Sequence, residues 1–230
     1  TRVSTPHDYN DVLPSTNWTL SLTEDQLIRI GAAKTMARAP VNMMSPSLNL
    51  NEDLYGANPG QSTSGNPTLD PFRADQADIA YEWYYSDNSQ VAVNLFYKDL
   101  ESYITRSAEA EVITRNGKEY TVSRPTNGSG GYIRGYELLW QQAFDFLPGA
   151  WGGLGATVNY TFTDGTGGEK DFYGATMPMA DNSEDQVNAV LWYEYDQWQA
   201  RIAYNYRSER FIGRAWNDGS PAAWWQAPTS

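Results

Sequence analysis

The sequence contains no cysteine. Disulfides and thiolate metal sites are thereby excluded, and the chain suits an oxidising compartment outside the cytoplasm. There is one histidine, His7, beside Asp8 near the start. A catalytic triad or a zinc site needs several partners around its imidazoles. His7 is therefore expected to be incidental, and the chain is expected not to be an enzyme and to need no metal or cofactor. Basic residues are scarce: 16 Lys and Arg stand against 28 Asp and Glu, a net charge of −12. Phosphate contacts depend on Lys and Arg, so nucleic acid is not an expected partner, and the acidity is read as solvated loops. No run approaches the ~18 apolar residues of a membrane helix. No glycine-rich phosphate loop stands between a strand and a helix, and no βαβ spacing suggests a parallel sheet. The opening Thr1-Arg2-Val3-Ser4-Thr5-Pro6 has neither the basic start nor the apolar core of a signal peptide. A leader removed upstream, or a longer parent chain, is expected.

What the sequence does have is aromatic residues in a polar chain. Phe, Trp and Tyr make up 14%, with nine Trp and sixteen Tyr, yet the mean hydropathy is −0.60. The apolar residues follow a period of two. In the clearest stretch Leu154, Ala156, Val158, Tyr160 and Phe162 share one face, and Gly155, Thr157, Asn159, Thr161 and Thr163 share the other. Such alternation marks a β-strand with one oily and one wet face. It recurs eight times, predicting strands over 10–23, 27–39, 73–85, 89–106, 131–146, 153–164, 186–195 and 198–212.

The connections between these strands alternate in length. They are short after the first, third, fifth and seventh strands and long after the others. In a meander this collects the short turns at one rim and the long loops at the other, as in outer-membrane barrels. The outward faces carry Leu, Val, Ile and Ala, with Trp18, Tyr85, Trp140, Trp198, Tyr204 and Tyr206 toward strand ends. Amphipathic rings favour the headgroup level of a bilayer. The opposite faces carry Arg29, Lys34, Glu82, Asn94, Lys98, Glu137, Gln141, Asn159, Asn188, Glu194, Arg201, Asn205 and Arg207, which suits a water-filled lumen. The expected fold is an all-β, antiparallel transmembrane barrel meander with outer-membrane lipid around it.

Four segments add specificity. They are Gly-Tyr-Ile-Arg-Gly-Tyr-Glu-Leu at 131–138, Asn-Pro-Thr-Leu-Asp-Pro-Phe-Arg-Ala-Asp-Gln at 66–76, Ala-Ala-Lys-Thr-Met-Ala-Arg at 32–38 and Asn-Tyr-Arg-Ser at 205–208. In this order they resemble barrel strands of TonB-dependent outer-membrane receptors, and they are most similar to the proteobacterial oligosaccharide-uptake type. The resemblance implies a barrel of roughly 22 strands, a plug domain filling it, and coupling to the TonB complex through that plug. It implies active uptake of an oligosaccharide or an iron chelate (a siderophore). On this reading residues 1–230 form one partial barrel domain, about a third of a barrel, with the plug and the final strands absent. The alternative is a self-contained eight-stranded barrel with a structural or adhesion role, in which the eighth strand pairs with the first.

Two loops offer candidate chemistry. Asp164, Glu169, Asp171, Asp181, Glu184 and Asp185 surround the loop at 165–185. Oxygen-rich loops can hold calcium, but the spacing matches no such motif, and solvated loop is the expectation. The last loop gathers Phe211, Arg214, Trp216, Trp224 and Trp225, with Arg210 beside them. Flat indole surface stacks on a sugar face and guanidinium supplies planar donors, so these residues are the expected ligand contacts. Packing of the same aromatics on the lipid interface is the competing expectation.

Overall fold

A computed structural model describes residues 5–50, 62–106, 111–115, 117–170, 174–214 and 223–230. In chain order the strands are β1 Ser15–Ser21, β2 Gln26–Ala37, β3 Leu48–Asn49, β4 Ser62–Ser64, β5 Phe72–Ser86, β6 Ser89–Arg106, β7 Glu111–Arg115, β8 Lys118–Ser123, β9 Pro125–Ala143, β10 Leu154–Lys170, β11 Thr176–Pro178, β12 Asp185–Tyr195, β13 Trp198–Arg207, β14 Arg210–Arg214 and β15 Ala223–Gln226. A single helical turn, α1 Val41–Met44, follows β2.

Nine of these strands form one sheet: eight run in the order β1-β2-β5-β6-β9-β10-β12-β13, each antiparallel to its neighbour, and the short β11 pairs with β10 off this path. Those eight are the expected strands in the expected order. Short turns join β1 to β2, β5 to β6, β9 to β10 and β12 to β13, so all four lie at one rim. Asp87 and Asn88 close the β5–β6 hairpin beyond the Ser86–Ser89 pair. In the β12–β13 turn Asp196 takes a positive φ of 54°, a conformation that Asp tolerates better than most residues.

The register aligns the apolar faces across the whole sheet. One row runs Leu20, Ile28, Tyr81, Val93, Leu138, Tyr160, Val187, Tyr206. A polar row beside it runs Thr19, Arg29, Ala80, Asn94, Glu137, Thr161, Gln186, Arg207. A slip of one residue would exchange the two faces, so the pattern that specifies strands also specifies register. Aromatics on the apolar face form two belts. Trp83, Tyr85, Trp140, Tyr195 and Trp198 lie toward the short turns, and Tyr97, Tyr132, Tyr136 and Phe162 toward the long loops. Along β9, Trp140 and Tyr132 are eight residues apart, about 27 Å along the strand, which at a tilt of ~35–45° spans roughly 20 Å of the ~25 Å apolar band of outer-membrane barrels.

Burial is inverted relative to a water-soluble fold. The apolar face is open: Trp198 is 75% exposed, Ile202 71% and Leu20 58%. Apolar patches this extensive mark a membrane or interaction surface. Among the described residues the buried apolar side chains lie at the long-loop rim instead, where Val122 is 0% exposed, Leu69 2% and Tyr120 4%.

The structure departs from the sequence expectation at this rim. β1 begins at Ser15, not at residue 10, because Pro14 has no N–H to give the ladder; its carbonyl accepts from the Lys34 amide at 2.9 Å. β9 and β10 extend further into the long-loop rim than expected. The expected loops at 40–72 and 107–130 contain β3, β4, β7 and β8, which form their own sheet in the order β3-β4-β8-β7, with β4 parallel to β8. The Asn-Gly signal does mark a hairpin, β7–β8: Gly117 has φ 75°, and Asn116 lies outside the described residues. Lys34 is also placed differently. Strict alternation along β2 puts it on the face of Ile30 and Ala32, above the apolar band, where it pairs with Glu101 and lies 3.5 Å from Asp75.

The expected eighth strand divides at Ser208. β13 ends at Arg207, and β14 pairs with β15 in a separate hairpin. The chain then returns to the wall. Arg207 and Thr229 exchange backbone hydrogen bonds of 2.9 and 3.0 Å, so the outer edge of β13 pairs with the segment that follows the hairpin. Among the described residues β1 pairs with β2 alone, and the β1–β13 pairing of a self-closed eight-stranded barrel is not formed.

Candidate functional site

The long-loop rim is where the wall, the loops and the distinctive sequence segments meet. The segment at 131–138 is a strand whose residues serve alternate faces. Arg134, outward and within the upper aromatic belt, donates from Nε to Asp164 at 2.8 Å and lies 5.1 Å from the Tyr132 ring centroid. Gly135 faces inward. A Cβ there would come 2.0 Å from the Phe162 carbonyl oxygen and 2.8 Å from the Phe96 ring, so the strand approach requires glycine. Tyr136 faces outward, with its ring 5.8 Å from Tyr160 and 5.5 Å from Phe162. Glu137 faces the lumen and accepts from Asn94 at 3.3 Å. The Arg-Gly-Tyr-Glu sequence thus supplies a surface charge pair, a close packing position, a belt aromatic and a lumen polar group in successive residues.

The segment at 66–76 fastens the first long loop to the wall. The Asn66 side chain donates to the Pro125 carbonyl at 3.0 Å and accepts from the Thr68 amide and hydroxyl at 3.0 and 2.8 Å. Asp70 and Asn127 exchange hydrogen bonds of 2.9 Å in both directions. Leu69 and Pro71 are buried. Arg73, beyond the apolar band, donates to Asp11 at 2.6 Å, and this bond holds its guanidinium pKa above the ordinary value. Polar satisfaction at 66–73 therefore fixes where the loop ends and β5 begins.

The aromatic hairpin is only partly assembled from the expected residues. Phe211 and Trp225 are direct cross-strand partners, with centroids 5.6 Å apart and planes at 63°. Phe211 is buried at 5% exposure while Trp225 is 52% exposed. A register shift at Ile212 then pairs Gly213 with Trp224 and Arg214 with Ala223. Trp216 lies outside the described residues. Arg210, expected in this cluster as a guanidinium donor, docks the hairpin: it donates to Gln226 at 2.9 and 2.6 Å and lies 3.7 Å from Asp181. The Asp181 amide in turn donates to the Phe211 carbonyl at 2.8 Å. The hairpin is thereby tied to the loop between β10 and β12.

The acidic residues of that loop do not converge. Asp164 is held by Arg134, Asp181 faces Arg210, and Asp185 accepts from the Tyr160 hydroxyl at 2.5 Å, while Asp171 lies outside the described residues. His7 lies 3.3 Å from Asp70 at the base of the first long loop. The inter-loop sheet β3-β4-β8-β7 is a feature that sequence reading missed. The Val-Ile-Thr and Tyr-Thr-Val alternation around Asn116-Gly117 was its available signal.

A scan against family models matches residues 1–227 to "TonB dependent receptor-like, beta-barrel". No curated protein matches the chain. Among solved structures the chain is similar to the ferric enterobactin receptor PfeA of Pseudomonas aeruginosa, solved with enterobactin. The identity is 14% and the TM-score 0.69, over 94% of this chain and 31% of that one. It is similar also to the siderophore receptor PirA of Acinetobacter baumannii, at 15% identity and TM-score 0.65, over 94% of this chain and 33% of the other. PirA of Pseudomonas aeruginosa gives 14% identity and TM-score 0.60, over 88% and 36%. The chain spans about a third of the length of these receptors.

Proposed function

The chain belongs to the TonB-dependent receptor β-barrel family, and from that premise we propose that it supplies wall and outer-loop rim to an outer-membrane importer of a small nutrient. The observation that carries this reading is the pairing of an open, belted apolar face with long loops gathered at one rim. A transporter needs both: a lipid-facing wall and an outward surface able to select cargo. In the whole receptor the wall belongs to a barrel of roughly 22 strands. A plug fills it, TonB acts through that plug, and outer-membrane lipid surrounds it. The pairing of Thr229 with Arg207 supports a meander that continues past β13.

The nutrient is an iron chelate or an oligosaccharide. The iron chelate is supported by the similar receptors of known structure, which are receptors for ferric enterobactin and for siderophores. The oligosaccharide is supported by the aromatic hairpin, with Phe211, Trp225, Trp224, Trp216 and Arg214 as its contacts. The half-exposed Trp225 ring braced on buried Phe211 is the surface for stacking. The test is nutrient-limited growth and labelled-ligand uptake in cells carrying the full-length receptor. Uptake should be lost when either the receptor or TonB is removed. Receptor-dependent uptake that persists without TonB would overturn the importer reading.

A further inference from the structure

The β3–β4 side of the inter-loop sheet borders an open cleft that the aromatic hairpin does not line. α1, β3 and β4 border it on the side of the first long loop, and β6 and β9 close it from the wall. The cleft has a volume of about 200 Å³, whereas a single water occupies about 10–15 Å³ on a comparable measure. It is therefore larger than a structural-water niche.

Its chemistry differs from the rest of the chain. Asn42, Ser47, Asn49, Thr63 and Ser64 supply its polar groups, and no described lining residue is charged, although 19% of the sequence is Asp, Glu, Lys or Arg. The apolar part is Met43, Ile104 and Pro125. Amides and hydroxyls both donate and accept, so they match groups that do the same. A ferric chelate bearing negative charge would find no cation among these residues to repay its desolvation. A neutral molecule dense in hydroxyl groups with apolar C–H faces would be matched on both counts.

The cradle is also fixed in advance. Asn49 and Thr63 are cross-strand partners in the β3–β4 pair, and Thr63 is in turn a partner of Ser123 on β8. The Gly65 amide donates to the Ser47 carbonyl at 3.3 Å and the Asn66 amide to the Met43 carbonyl at 2.7 Å. A Cβ on Gly65 would lie 2.1 Å from the Ser45 carbonyl oxygen, so the backbone there is as close as it can be. Polar groups held by backbone pairing lose little freedom when they bind. Asn42, Asn49 and Thr63 make no side-chain hydrogen bond among the described residues, which leaves their polar atoms for a ligand.

We infer that this cleft is a binding subsite for a neutral, hydroxyl-rich ligand, an uncharged oligosaccharide. The inference rests on the importer reading above and narrows its ligand class. The test uses the full-length receptor, purified in detergent, on an array of neutral and acidic glycans, with ferric enterobactin as a separate probe. Neutral glycans should bind. The double variant Asn49→Leu with Thr63→Val should weaken that binding about tenfold or more, while Thr63→Ser should retain it. An unchanged melting temperature of the double variant shows that the rim is folded. If the double variant loses that melting temperature, Asn42→Leu on α1 replaces it, with the same expectation. The inference is overturned if no neutral glycan binds, if the folded variant binds glycans as well as the parent, or if its loss falls on ferric enterobactin instead. Should TonB-dependent uptake of a neutral glycan persist undiminished with Asn49 and Thr63 replaced, the importer reading stands and this subsite alone fails. Should uptake proceed without TonB, the importer reading itself fails.

Discussion

The wall and the long-loop rim solve opposite problems with the same residue types. In the wall Leu20, Ile202 and Trp198 are exposed, and the polar side chains of the other face pair across strands, as Asn94 does with Glu137. At the rim Leu69, Tyr120 and Val122 are buried, and hydrogen bonds from Asn66 and Asn127 close the surface around them. The difference lies in the solvent. A bilayer accepts apolar side chains and enforces backbone pairing, so the wall needs register and no core of its own. Loops standing in water must build one. Substitutions in the two regions should therefore respond differently to lipid.

The largest effect is expected in the wall. Leu138 sits in the apolar row between Val93 and Tyr160. Leu138→Arg in the full-length receptor should cost about 2–4 kcal/mol if that row lies near the bilayer midplane. The measurement is the urea midpoint of the receptor refolded into vesicles, repeated in thinner bilayers. The penalty should shrink as the bilayer thins; a penalty independent of thickness would mean that Leu138 does not face lipid.

Val122 provides the contrasting case. It is fully buried in β8, the central strand that joins the two long loops. Val122→Ala removes two methyl groups from a packed site and should cost about 1–3 kcal/mol. The same vesicle series should show no dependence on bilayer thickness. Asn66→Ala should follow at about 1–2 kcal/mol, since it leaves the part-buried Pro125 carbonyl and the Thr68 amide without their partner. Its signature is local. Proteolysis should speed up within residues 40–71, while the wall stays resistant.

Sequence alone showed the wall almost completely, and the reason is physical. A lipid-facing sheet imposes a period of two along every strand, so the faces of β2, β10 or β12 can be read from alternation without knowing any neighbour. The rim obeys no such local rule. β4 is three residues long and is defined by its parallel partner β8 in the other loop, so nothing near Ser62 announces it. Lys34 shows the same limit within the wall. A charge on β2 suggested the lumen, whereas alternation from Ile30 and Ala32 places it outward, above the apolar band, where Glu101 and Asp75 meet it. Of the hairpin, the aromatic cluster was legible. Arg210 was legible as a member of that cluster but not as its anchor, because it meets Asp181 and Gln226 through tertiary contacts.

The smallest effect belongs to the hairpin and separates its two possible uses. Phe211 is buried whatever the hairpin does, because the Asp181 amide and the β15 strand close over it. Trp225 stands half out of that contact, so Trp225→Ala should cost only about 0.5–1.5 kcal/mol of stability, the worth of one aromatic pair. If Trp225 serves the lipid interface, as Trp198 is placed to do, the variant should lose stability in vesicles and keep ligand uptake. If it is a stacking surface for cargo, stability should change little and uptake should fall. A decline in uptake without a matching decline in the urea midpoint assigns the indole to the ligand. The rim would then differ from the wall in what its exposed aromatics meet as well as in how its core is built.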